Sequence, residues 1–118
     1  MPRAITTEAG RAALAAVRSA ETPVRTDLAT AVRYLLQLLT EKAPGNTVEV
    51  RIPPFGAVQV VQGPRHTRGT PPNVVETDAS TWIDLATGAE TWLDAVASGR
   101  VHASGSRADL AALLPLSP

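Results

Sequence analysis

The sequence contains no cysteine, so disulfides, thiolate metal sites, thiol nucleophiles and iron–sulfur clusters are all excluded, and packing must hold the fold. Aromatic side chains are scarce, with two Trp, one Tyr and one Phe making up 3% of 118 residues. A charge surplus is also missing: eleven basic residues, of which Lys42 is the sole lysine, balance eleven acidic ones. The long-range field that nucleic-acid binders rely on is therefore absent, and no nucleic-acid partner is expected. Nowhere do the roughly 18 consecutive apolar residues of a membrane span occur, and MPRAITTEAGRAALAAV lacks the apolar run of a signal peptide. The expectation is a cytoplasmic protein without integral membrane association.

What is present is an ordinary globular complement of apolar residues, 44%, supplied largely by Ala, Val and Leu. That is enough for one hydrophobic core in a chain of this length, and a single domain over residues 1–118 is expected. Thr7 to Ala20 reads as an Ala-rich helix with Thr7 as its cap and only Leu14 and Val17 as sizeable apolar residues. A second helix starts at Thr26 or Asp27 and runs to Lys42, with Leu28, Val32, Leu35 and Leu39 forming one face before Pro44-Gly45 stops it. Val48, Val50 and Ile52 alternate with Glu49 and Arg51 as in a half-buried strand. Pro53-Pro54 forces a turn into a second β-rich run, Phe55 to Gln62, and the two runs resemble a hairpin. Gly63 to Asn73 reads as a loop and Val74 to Thr77 as a third strand.

Asp78 suits the cap of a short helix through Ala86, and a further helix spans Glu90 to Ser98, each ended by a glycine. Their apolar faces carry Trp82, Leu85 and Ala86, then Trp92, Leu93 and Val96. Arg100 to Ala103 reads as a last strand, and Ser106 with Asp109 resembles a capping box opening a helix to Leu114. The order of elements favours α+β over an alternating plan.

Catalytic and metal chemistry is not evident. His66 and His102 have no ligand-like spacing, and there is no phosphate-binding loop, dinucleotide fingerprint or nucleophile elbow. Ser104-Gly105-Ser106 is explained by capping; Asp84, Glu90 and Asp94 form no convincing acid–base pair; and Glu49 with Arg51 reads as an ion pair on the strand's polar side. No catalytic residue, metal ligand or cofactor is assigned. The loop bearing Arg65, His66 and Arg68 could receive a carboxylate or phosphate, or serve only as a solvated surface.

The run VRIPPFGAVQVVQGPRHTRGTPPNVVETD, followed by Asp78-Ala-Ser-Thr-Trp82-Ile-Asp-Leu85, Gly88, Trp92, Ser98-Gly99-Arg100-Val101 and Ser104-Gly105, resembles the sterol carrier protein superfamily, in particular its bacterial branch. The resemblance covers roughly Asp27 to Leu116, giving a core over residues 26–116 and a helical extension over residues 1–25. It implies a five-stranded, mainly antiparallel sheet covered by helices, with an internal tunnel for a fatty acyl chain, acyl-CoA or a sterol-like lipid. Val58, Val60, Val75, Trp82, Leu85, Trp92, Val96, Leu110 and Leu113 are then expected to line the core or cavity, with Arg65 and Arg68 holding an anionic head group. Each buried methylene is worth about 0.8 kcal/mol, so a chain of about twelve supplies useful affinity without polar chemistry. Such a protein binds or transfers an apolar ligand and is not an enzyme. An alternative of another class is an accessory module with a filled core, serving a separate enzyme in lipid or mycothiol-dependent metabolism, with that enzyme or a second copy of the chain as partner.

Overall fold

The apolar residues Val32, Leu35 and Leu39 recur at helical spacing, and in the computed structural model, which describes residues 4–63 and 72–118, each is fully buried on one face of a helix. That helix, α2 (Arg25–Lys42), begins one residue ahead of the expected start, because Val24, just after Pro23, already has extended backbone. It follows α1 (Thr7–Ser19), whose cap is Thr6 rather than the expected Thr7: the Thr6 hydroxyl accepts from the Ala9 N–H at 3.1 Å.

The alternating Val48, Val50 and Ile52 form β1 (Val48–Ile52), which pairs antiparallel with β2 (Gly56–Val60) through the expected hairpin. β1 also pairs parallel with β3 (Val74–Thr77), and β3 antiparallel with β4 (Val101–Ser104), giving the sheet order β2-β1-β3-β4. The α+β class is as expected, but the sheet among the described residues is mixed and has four strands rather than five. β2 stops at Val60 because Val61 turns to φ 74° and gives its N–H to the Ala43 carbonyl at 2.8 Å, which ends the ladder before Gln62.

Between β3 and β4 lie α3 (Ala79–Thr87) and α4 (Trp92–Ala97). The Asp78 carboxylate caps α3, accepting from the Thr81 N–H at 2.8 Å and the Thr81 hydroxyl at 3.0 Å, and left-handed Gly88 ends it. α4 is shorter than expected and capped by Thr91. The capping box at Ser106 does not form. Asp109 accepts from the Ala111 N–H at 2.8 Å instead of reaching back toward Ser106, and only a single 3-10 turn, Ala111–Leu113, results. Ala108 and Leu110 flank Asp109 and are buried against the core.

The inner face of the sheet, with Val48, Val50, Ile52, Val60 and Val75, forms one core with α2, α3 and the buried part of α1. α1 is fastened to this body at several points. Gln37 exchanges two 2.9 Å hydrogen bonds with the main chain of Ile5, Arg11 donates to the Pro118 carbonyl at 2.6 Å, and Ala13 and Leu14 are buried.

Candidate functional site

An internal tunnel would run between α2 and the sheet. Val32, Leu35, Leu39, Val48, Val50, Ile52 and Val60 are all 0% exposed, and Trp82 is 1% exposed. A side chain that no water-sized sphere can touch has no void of that size beside it, so this layer is packed dry. Trp82 occupies its middle, and its indole N–H is satisfied by the Val32 carbonyl at 3.3 Å. A tunnel was expected between the sheet and its covering helices; where α2 covers the sheet, that space is filled by the protein's own side chains.

The residues expected to line a core or cavity are divided by this packing. Val60, Val75, Trp82, Leu85 and Leu110 are buried core, and Val58, Trp92 and Leu113 are partly buried against it. Val96 is not core, being 38% exposed, and Leu93 beside it is 75% exposed. In the six-residue α4 it is Ala95 that packs inward, since so short a helix turns only one small side chain fully into the core. Arg65, His66 and Arg68 lie outside the described residues.

Three of these positions border surface clefts. Leu85 and Trp92 edge one of about 330 Å³ together with Leu93, Leu114 and Pro115. Val96 edges another of about 440 Å³ on the β3–β4 side, with Glu76 and His102. A further concavity lies elsewhere. It has a volume of about 540 Å³, within the range of small-ligand pockets, and an apolar floor of Val17, Pro23, Leu28, Ala79 and Ile83.

Sequence reasoning missed this cleft because its floor is gathered from three elements. Val17 comes from α1, Pro23 and Leu28 from the start of α2 and the turn before it, and Ala79 and Ile83 from one face of α3. A signal did exist: Ala79 and Ile83 stand four residues apart, on a side of α3 other than the one that carries Trp82 and Leu85 inward. The cleft's walls are firmly held, α1 by the Gln37 and Arg11 hydrogen bonds and α3 by its Asp78 cap.

Its rim carries Arg18, Glu21, Asp78, Ser80 and Asp84. Asp78 is engaged by Thr81. Arg18 and Glu21 are exposed and Asp84 is half-buried, and none of the three belongs to the ion pairs among the described residues, Glu49 with Arg51 and Glu90 with Arg100. Among the described residues there is no cluster of metal-ligating side chains, and no helix is long and apolar enough to cross a membrane. The arrangement can bury a hydrocarbon and present charge at its mouth.

A family model described as the bacterial SCP ortholog matches residues 24–116. The match includes Leu28, Ala79 and Ile83 but begins after Val17, Arg18, Glu21 and Pro23, so one wall of the cleft stands outside the matched span. No curated protein matches the chain.

Proposed function

Since the chain belongs to the bacterial sterol carrier protein family, and membership points to lipid binding or transfer in general, we propose that it binds one hydrocarbon chain without chemical change, in the cleft between α1, α2 and α3. The observation that carries this reading is the location of apolar room: the sheet–α2 layer is closed, whereas the cleft over Val17, Leu28 and Ile83 offers about 540 Å³. Burying about eight methylenes there yields roughly 6 kcal/mol before ordering costs, which corresponds to a weak, exchangeable complex suited to transfer.

The test is a titration of delipidated protein with a fluorescent dodecyl probe bearing an uncharged head group. Binding with a Kd of roughly 0.1 mM is expected, and Leu28→Arg, which sets a guanidinium on the apolar floor, should abolish it while leaving the fold intact because Leu28 is only partly buried. Absence of binding by the unaltered protein at about 1 mM probe would sink the reading.

The dry core, together with exposed Leu93 and Val96, favours a second reading, in which the domain is an accessory module docking on a separate enzyme through α4. Native mass spectrometry of freshly purified protein separates the two. An added lipid mass supports the first, and a stoichiometric complex with an enzyme that Leu93→Glu disrupts supports the second.

A further inference from the structure

Resting on the cleft reading above, we infer that the preferred occupant is a single-chain amphiphile with a cationic head group, a long-chain amine or quaternary ammonium, rather than a fatty acid or a phosphate-bearing acyl conjugate. The inference comes from the rim. Three carboxylates, Glu21, Asp78 and Asp84, stand there against one guanidinium, that of Arg18. Arg18 sits in the last turn of α1, where its positive charge lies beside the negative end of the helix dipole and part of its field is spent. Asp78 is tied to Thr81. Glu21 and Asp84 remain: one on the α1–α2 connection, the other on α3, both lining the same cleft, and neither in an ion pair among the described residues.

A chain lying on Val17, Leu28 and Ile83 leaves its polar end at this mouth. An ammonium there gains two attractive neighbours, whereas a carboxylate or phosphate meets like charge. Because these side chains are exposed or half-buried, the effect is modest and salt-dependent rather than absolute. The floor supplies affinity for any hydrocarbon, and the rim chooses among head groups.

The experiment compares dodecylammonium, dodecanol and dodecanoate, equal in chain and different in head, as competitors for the uncharged fluorescent probe at low ionic strength. The expected order is ammonium, then alcohol, then carboxylate, with about tenfold between the extremes, shrinking to roughly threefold in about 0.5 M salt. The double variant Glu21→Gln with Asp84→Asn should bring ammonium and carboxylate to near parity and leave dodecanol unchanged, which also shows that the variant is folded. If none of the three competes, the cleft reading itself fails. If dodecanol competes but dodecanoate equals or exceeds dodecylammonium, the cleft reading stands and the head-group inference is overturned. A preference for the ammonium that survives in the double variant overturns the assignment to Glu21 and Asp84.

Discussion

The indole N–H of Trp82 on α3 donates to the main-chain carbonyl of Val32 in the middle of α2, at 3.3 Å and out of reach of water. This contact ties the helix layer together at the point where a ligand tunnel would otherwise pass, and the ring fills the volume. Trp82→Ala should therefore cost about 3–5 kcal/mol of stability, the usual range for truncating a buried aromatic. Trp82→Phe keeps most of the volume and loses the hydrogen bond, so about 1–2 kcal/mol is expected. Chemical denaturation of both variants checks this. A loss below about 1 kcal/mol for the alanine variant would mean that the layer is not closed around this ring.

Gly10 and Tyr34 form a second close pair. A Cβ on Gly10 would stand 2.2 Å from Tyr34 Cγ and 2.4 Å from Cδ1, inside any tolerable contact. Tyr34 is 2% exposed and has no room to step aside, so Gly10→Ala must lift α1 from α2. A cost of about 1–3 kcal/mol is expected, despite alanine being the better helix former. Because α1 supplies Val17 to the cleft floor, dodecyl-probe binding should weaken in the same variant. Adding Tyr34→Ala should recover part of the loss, since the clash disappears with the ring, and the double variant should therefore be less destabilised than the sum of the two singles. Strict additivity in thermal or denaturant unfolding would count against the contact.

The elements that were legible in the sequence are those with enough repeats to define a face. α2 offers Val32, Leu35 and Leu39 over several turns, and β1 offers Val48, Val50 and Ile52, so period and burial agree in both. The α+β class followed from the order of such elements, and the family span from the resemblance carried by the run from Val50 to Asp78 and the segments after it. α4 is too short for its pattern to choose between Ala95 and Leu93 as the inward residue, and the larger side chain is the wrong guess. At Ser106, a local hydrogen bond by Asp109 outcompetes the capping box, which spacing alone does not reveal. The cleft was hidden for a different reason: Val17, Leu28 and Ile83 come together only through the way α1 is bolted across α2, by Gln37 on Ile5 and by Gly10 giving way to Tyr34. The filling of the tunnel was equally invisible, since the residues that would line a cavity are the same types that pack a dry core.

Asn73 is the joint between the two halves of the sheet, and its amide is used at both ends. Nδ2 donates to the Thr47 carbonyl at 3.1 Å, just before β1, and Oδ1 accepts from the Arg107 N–H at 2.9 Å, beyond β4. Its own carbonyl accepts from the Glu49 N–H at 3.0 Å. At 7% exposure, little water is available to replace these partners. Gly105 belongs to the same unit, because a Cβ there would lie 2.4 Å from Asn73 Oδ1 and 2.2 Å from the Pro72 carbonyl oxygen, at a φ of +101° that favours glycine. Asn73→Ala removes both side-chain bonds of a residue that is 7% exposed, for a loss of about 2–3 kcal/mol. Asn73→Asp retains the acceptor for Arg107 but turns an oxygen toward the Thr47 carbonyl, so it should be no better than alanine at neutral pH. Hydrogen exchange gives the site-resolved check: the Arg107 amide should exchange faster in Asn73→Ala and stay protected in Asn73→Asp. Equal protection of that amide in both variants and in the unaltered protein would show that Asn73 does not hold the segment after β4 against β1.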